Sequence, residues 1–142
     1  MGMKFEDLEA WQEARVVVRR VYALTRTSEL KKDFGLCDQA QRSSVSVMTN
    51  IAEGFERVGY KEKLNFYNIA RASAGETRSL LYVIEDNYLE QAAECAELRN
   101  DVAMVGRKVT GLISSYKKRN AFVTIGLLFS LSGAVSFLFA LS

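Results

Sequence analysis

Two carboxylates and an amide are the side chains in this sequence best suited to chemistry: Glu53 and Asn50 in the run Asn-Ile-Ala-Glu-Gly, and Glu76 further along. Paired carboxylates can act as general acid and base. The chain, however, has no histidine, no nucleophile elbow and no phosphate-binding loop, and Gly54 alone is not a phosphate-binding pattern. We therefore predict no catalytic residue. An enzyme is the least supported of three functional interpretations.

The same polar side chains suit an internal network. A polar group left unpaired in a protein interior is costly, so each buried one needs a partner. We expect an ion pair between Arg42 and Glu76, and a lower melting temperature when Glu76 is replaced by alanine. The predicted structural polar network consists of Gln39, Arg42, Asn50, Glu53, Ser73 and Glu76.

No metal or cofactor site is expected. The two cysteines, Cys37 and Cys95, do not make a disulfide framework, and a chain without histidine is a poor candidate for a zinc site. We predict two buried thiols in a reducing compartment.

Basic residues form the second candidate site. A net charge of +2 does not indicate nucleic-acid binding by itself, but its distribution is uneven. Several cations in register would bind phosphates with an affinity that falls steeply with salt. A solvated surface is the alternative explanation. The candidate nucleic-acid-binding residues are Arg15, Arg19, Arg20, Arg26, Arg57, Lys61 and Lys63.

Four helices must position these residues. Proline is absent, and Gly35 and Gly59 are the expected breaks, the latter in a left-handed turn. Short loops make consecutive helices antiparallel. The sequence therefore predicts an all-α, up-down-up-down antiparallel four-helix bundle whose central helix contains residues 39–57. Apolar residues recur at steps of three and four in the four predicted helices, which are Phe5–Thr25, Leu36–Arg57, Lys61–Asn87 and Glu90–Lys118.

The periodicity also predicts the core and the register. A turn near residues 58–60 gives facing residues of the second and third helices numbers that sum to about 118. This register places Arg42 opposite Glu76, Asn50 opposite Asn68, and Glu53 opposite Asn65. The predicted core positions are Leu8, Trp11, Ala14, Val18, Val21, Tyr22, Thr25, Ala40, Val47, Ile51, Leu64, Tyr67, Ala70, Ala74, Leu81, Ile84 and Tyr88, followed by a heptad seam of Cys95, Leu98, Val102, Val105, Val109, Leu112 and Tyr116.

Residues 121–141 carry no charge and are mostly apolar. About 20 apolar residues match the hydrocarbon thickness of a bilayer, and the preceding cations at 117–119 suit a positive-inside anchor. Gly126 with Ser130, and Ser132 with Ser136, have the spacing of close helix pairs in lipid. We predict a four-helix bundle over residues 1–119 and a transmembrane helix within 120–142. The alternative is a fifth helix buried in the fold or in an oligomer core.

Four motifs cover most of the bundle: FEDLEAWQEA, FGLCDQAQRSSVSV, NIAEGFER and FYNIARASAGET. They make residues 4–118 resemble the four-helix-bundle family of proteins encoded in intervening sequences of 23S ribosomal RNA genes, and also the accessory variability determinant of diversity-generating retroelements. The resemblance implies a homopentamer with a central channel and, in the retroelement relatives, contact with nucleic acid and a reverse transcriptase. Met48 or Thr49 stands where relatives tend to carry a proline, and the apolar tail lies outside the family's usual extent.

Two further interpretations of function follow. The first is a non-enzymatic, homo-oligomeric adaptor, pentameric by resemblance, that binds RNA, DNA or a protein encoded nearby and is anchored by residues 121–141 to the cytoplasmic face of the inner membrane. The second is a membrane effector in which the C-terminal helices of several copies form a small pore. Without an anchor, the chain is expected to be cytoplasmic.

Overall fold

A computed structural model describes residues 2–27 and 29–139, with side chains as far as residue 127. Its short 3-10 helices are Phe5–Asp7, Leu30–Lys32 and Leu89–Gln91. The predicted all-α class and the four bundle helices are confirmed. The α-helices are α1 (Glu9–Leu24), α2 (Phe34–Glu56), α3 (Tyr60–Asn87) and α4 (Ala92–Phe139).

Contacts between side chains show that neighbouring helices run in opposite directions. The Thr77 hydroxyl of α3 donates to the Ser43 hydroxyl of α2 over 3.0 Å. Arg99 of α4 pairs with Glu85, near the end of α3. Lys108, further along α4, pairs with Glu9 at the start of α1 over 2.7 Å. The bundle is therefore up-down-up-down, with α1 closing against α4.

The roles predicted for the two glycines are wrong. Helix α2 begins at Phe34 because the Asp33 side chain accepts a hydrogen bond from the Leu36 amide over 3.1 Å, so Gly35 lies inside the first turn. Gly59 has φ −69° and ψ 131°, an extended conformation, and is the N-cap of α3. The chain leaves α2 through an extended Arg57, so no left-handed residue is required there.

Most of the predicted core is buried. The heptad seam of α4 is buried from Cys95 to Val109, which confirms the register read from its spacing. In α1 the predicted Val18 and Tyr22 are only half-buried. The buried stripe of that helix, continued by Thr25, instead runs through Ala10, Ala14, Val17, Val21 and Leu24.

The register between α2 and α3 is close to the predicted one, but the faces are rotated. Ser46 and Ser73 hydroxyls lie 2.8 Å apart, and Ser43 faces Thr77, so small hydroxyl side chains occupy the seam. Arg42 and Glu76 are each one residue away and solvent-exposed, and among the described side chains no salt bridge joins them. The predicted ion pair is wrong because one residue turns a helical side chain by about 100°.

The predicted transmembrane helix is also wrong. In the described part of the chain, no helix is both long and apolar enough to cross a membrane. Residues 120–139 are not a separate helix, because they continue α4, whose earlier turns carry charged side chains. The membrane anchor and the pore depended on that helix and lose their support with it. Residues 140–142 and the side chains of Ser130, Ser132 and Ser136 lie outside the described part.

Helix α4 extends past the other helices. Tyr116 still packs on Tyr67 of α3, with ring centroids 5.8 Å apart. All side chains from Lys117 to Leu127 are exposed. We call residues 117–139 the α4 extension. At 1.5 Å per residue it is about 35 Å long.

Gly54 sets how closely α2 and α3 approach at one end of the bundle. A Cβ atom on Gly54 would lie 2.6 Å from a ring carbon of Tyr67, which is fully buried. A methyl group cannot occupy that space unless the ring or the helix moves. The glycine of the Asn-Ile-Ala-Glu-Gly run is therefore required for packing.

We expect Gly54→Ala to lower the free energy of unfolding by about 1–3 kcal/mol, since overpacking forces backbone or ring shifts. Gly35→Ala is the matched control, because nothing lies within 4 Å of its added Cβ. The control should be neutral or slightly stabilising. Urea unfolding followed by circular dichroism measures both, and equal stabilities of the two variants would contradict the packing role.

Candidate nucleic-acid interface

Lys63, one of the predicted phosphate-binding residues, is buried inside the bundle. Its ammonium donates to the Gly54 carbonyl over 2.8 Å and to the Phe55 carbonyl over 2.6 Å. It also lies 5.0 Å from the ring centroid of Tyr116 and 5.6 Å from that of Phe55. The last carbonyls of a helix lack intrahelical partners and carry partial negative charge, so a lysine stabilises them. Lys63 is the internal C-terminal cap of α2.

Two more of the predicted basic residues have their charges compensated. Arg20 of α1 pairs with Glu94, Glu97 and Asp101 of α4, and hydrogen bonding to Glu94 raises the pKa of its guanidinium. Arg57 pairs with Glu53 over 2.6 Å. Arg20 links α1 to α4, whereas the Arg57–Glu53 pair lies within the last turn of α2. Arg15, Arg19, Arg26 and Lys61 remain exposed.

Four of the six residues of the predicted polar network are exposed at the surface. Asn50 donates to the Ser46 carbonyl over 2.8 Å, and Ser46 in turn contacts Ser73 on α3. Glu53 is exposed and faces Arg57 rather than Asn65. Gln39, Arg42 and Glu76 are exposed at the surface. The hydroxyls of Ser43, Ser46 and Thr77, which the prediction omitted, form the contacts between α2 and α3.

A band of five arginines crosses one side of the bundle. Arg15 and Arg19 of α1 line a surface cavity of 250 Å³ that includes Val16. Val16 also lines a 520 Å³ groove between α1 and α4, which reaches Arg107. Arg107 in turn lines a 250 Å³ groove between α3 and α4 together with Arg71 and Arg78. We call Arg15, Arg19, Arg71, Arg78 and Arg107 the arginine band.

The five band arginines are not paired with carboxylates in the described part of the chain. The α3–α4 groove has three arginines and no acidic residue in its lining. None of the five arginines forms a salt bridge with a described side chain. Glu13 and Asp101 line the middle groove and belong to two clusters, around Lys108 and Arg20, that hold more carboxylates than cations. The positively charged, concave part of the band is therefore the α3–α4 groove.

Small residues form the floor of the α3–α4 groove. Gly75 lies in the middle of α3 and has nothing within 4 Å of an added Cβ. Gly106 of α4 faces Ala74. A Cβ atom added to Gly106 would lie 3.9 Å from the Cβ atom of Ala74. Glycine inside a helix costs about 1 kcal/mol relative to alanine. Gly75 leaves the backbone of α3 open at the surface of the groove.

Only two of the five band arginines were predicted from the sequence. Arg15 and Arg19 were predicted because they cluster in sequence. Arg71, Arg78 and Arg107 are far apart in the chain, and only the antiparallel packing of α3 on α4 brings them together. The seven-residue spacing of Arg71 and Arg78, two helical turns on one face, was the available signal.

The described residues also bear on metal and thiol chemistry. Within them, no group of three or more His, Cys, Asp or Glu side chains could hold a metal ion. Cys37 and Cys95 are free and buried. Burial is the main reason that the pKa of Cys95 rises to about 11, and it raises the pKa of Cys37 too. Both sulfurs are therefore thiols rather than reactive thiolates at neutral pH.

The fold and this surface define an all-α bundle with an arginine-lined side. The chain belongs to the family of 23S rRNA-intervening sequence proteins, which it matches over residues 6–111. A similar fold occurs in a crystallised protein of unknown function from the S23 ribosomal protein family of Bacteroides thetaiotaomicron. The two share 22% identity and a TM-score of 0.67, over 74% of this chain and 95% of that one. No protein of curated function matches the sequence.

Lys63→Met should lower the free energy of unfolding by about 1–3 kcal/mol, because two buried carbonyls lose their donor. Lys61→Met, two residues away and exposed, removes the same charge and should change stability by less than about 0.5 kcal/mol. Thermal or urea unfolding distinguishes the two. A Lys63→Met protein as stable as the wild type would show that the cap contributes nothing.

Proposed function

We propose that this chain is a non-enzymatic, homo-oligomeric adaptor that binds nucleic acid through the arginine band. The observation that carries the proposal is the α3–α4 groove, whose lining has three arginines and no acidic residue. Two further cavities, which share Val16 and Arg107 with their neighbours, extend the band towards Arg15 and Arg19 of α1. A phosphate backbone is a linear array of negative charges, and a linear array of guanidinium groups is its complement.

The electrostatics favour phosphate over a solvated surface. An exposed cation beside a carboxylate adds little attraction for a ligand, since its charge is already balanced. The band arginines have no such partner among the described side chains, whereas Arg20 has three. Guanidinium groups also bind phosphate oxygens through two parallel hydrogen bonds, which lysine cannot do.

The shape of the grooves favours a backbone contact rather than base recognition. Arg71 and Arg78 stand about 10.5 Å apart along α3, at 1.5 Å per residue. Arg107 faces them from α4, and the Gly75 floor leaves room for a close approach. Among the residues that line the three cavities, Trp11 is the one with an aromatic ring, and Arg15 already stacks on it at 5.7 Å. We infer binding with little sequence preference.

The non-enzymatic part of the proposal is supported by the absence of histidine from the sequence and by the protonated thiols. Burial and the neighbouring Tyr116 raise the pKa of the fully buried Tyr67, whose hydroxyl has no hydrogen-bond partner in the described structure. Tyr67 is therefore a neutral packing residue, not an acid or base at neutral pH. The homo-oligomer, a pentamer by family resemblance, would repeat the band around a symmetry axis.

The triple variant Arg71→Gln, Arg78→Gln, Arg107→Gln should bind a mixed-sequence oligonucleotide at least tenfold more weakly in 0.1 M salt. The logarithmic salt slope should become shallower by about 0.7–0.9 for each phosphate that the variant no longer neutralises. The matched control removes three exposed cations outside the band: Lys31→Gln, Lys61→Gln, Lys117→Gln. Filter binding at two salt concentrations measures both variants.

The control keeps the change in net charge identical, so it isolates the position of the charges. Equal losses of affinity in the two triple variants would show only non-specific attraction and would refute the band. If the wild-type protein binds no RNA or DNA on the filter, nucleic-acid binding is refuted altogether. A protein would then be the remaining candidate partner of the adaptor. Far-ultraviolet circular dichroism verifies that each variant is folded.

The homo-oligomer has its own test. Light scattering after size-exclusion chromatography of the full chain should give a mass five times that of the 15.9 kDa protomer. A monomer at micromolar concentration would refute this part of the proposal without affecting the nucleic-acid experiment.

A further inference from the structure

The α4 extension exposes a broad apolar surface. Phe122, Val123, Ile125 and Leu127 are each 50–75% exposed. At 100° per residue these four positions cover an arc of about 200° of the helix circumference. An apolar face of that width is normally packed against another element. The bundle of the same protomer does not cover residues 117–127, because each of their side chains is exposed.

We infer that the α4 extension is an assembly helix, which packs against the α4 extensions of other copies of this chain. This inference rests on the proposed homo-oligomer and names the element that joins the copies. The family match ends at residue 111, so the extension lies beyond the matched bundle.

The heptad seam of α4 continues into the extension and favours a helical partner. Steps of three and four connect the buried residues of α4 from Cys95 to Val109 and onward to Tyr116. The same steps lead through Arg119 to Val123 and Gly126, and in the sequence to Ser130 and Gly133. A sustained alternation of three and four is the pattern of helices that pack on each other at a shallow angle.

Gly126 also points to a neighbouring helix. It lies inside a helix, where glycine is unfavourable, and no described atom lies within 4 Å of an added Cβ. No contact with a described residue of the protomer therefore explains the lack of a side chain. A neighbouring helix packed on the Val123–Gly126 seam would explain it, because small residues let two helix backbones approach closely.

The composition of the extension favours copies of the same chain as the partner. From Asn120 onward the sequence has no charged residue, so beyond the three cations at 117–119 the extension offers no complement to a charged protein surface. One partner helix would cover one side and leave the other apolar positions exposed. Several identical extensions around one axis bury both the seam and its flanks, and every copy supplies one.

Disulfide cross-linking tests the seam in the full chain. Val123→Cys places a thiol on the seam, and Ile125→Cys places one about 200° away on the same turn. Under mild oxidation in detergent-free buffer, Val123→Cys should form reducible dimers at least tenfold faster than Ile125→Cys. The wild type gives the background, since Cys37 and Cys95 are buried. Equal rates, or no cross-links above background, would overturn the inference.

A steric variant gives an independent measurement. Gly126→Leu fits the protomer but would block the seam, so it should raise the dissociation constant of the oligomer at least tenfold. Gly111→Leu is the matched control. Gly111 also has nothing within 4 Å of an added Cβ, but it lies in the part of α4 that belongs to the bundle and not in the extension. Light scattering measures the mass, and circular dichroism verifies folding. Unchanged assembly of Gly126→Leu would overturn the inference.

A lipid surface is the competing occupant. Phosphatidylcholine vesicles added before the oxidation should leave the rate of Val123→Cys cross-linking unchanged and the protein in the supernatant. Sedimentation with the vesicles and a slower rate of cross-linking would overturn the inference. An oligomer that persists in Gly126→Leu and fails to cross-link at residue 123 would remove the assembly helix but leave the proposed homo-oligomer standing.

Discussion

The structure depends on the close approach of α2 and α3. Gly54 lets the Tyr67 ring lie against the backbone of α2, and Lys63 then reaches the last carbonyls of that helix. Further along, two pairs of hydroxyl groups form hydrogen bonds between the helices. These pairs are Ser46 with Ser73, and Ser43 with Thr77. Small residues and short hydrogen bonds bring these two helices together, while the larger aliphatic side chains fill the centre of the bundle.

Helix α1 is held differently. Besides its buried stripe, it is tied to α4 by Arg20 with three carboxylates and by Lys108 with Glu9 and Glu13. Between these two ionic clusters lies the 520 Å³ groove. The clusters absorb the acidic residues of both helices. The clusters hold five carboxylates and two cations, so the groove between them carries excess negative charge. The positive charge of the band is therefore concentrated in the α3–α4 groove, whose lining has no acidic residue.

Periodicity predicted the helices, their order and most of the core, because burial of an apolar stripe is a local property of sequence. The prediction failed where a shift of one residue, which turns a helical side chain by about 100°, decides the contact. Ser43 and Thr77 occupy the positions expected for Arg42 and Glu76. It also misjudged Lys63, since nothing local distinguishes a buried capping lysine from the exposed Lys61. Arg71, Arg78 and Arg107 could not be grouped without the packing of α3 on α4.

The arginine band and the α4 extension occupy different parts of the molecule, so their functions can be separated. The band lies on α1, α3 and α4 within the bundle, and the extension begins after Tyr116, where those contacts end. If extensions from several copies meet on one axis, their bundles are held near each other and several bands act on one ligand. Linked sites raise the effective concentration for the second contact, so modest phosphate binding by each bundle becomes strong in the assembly.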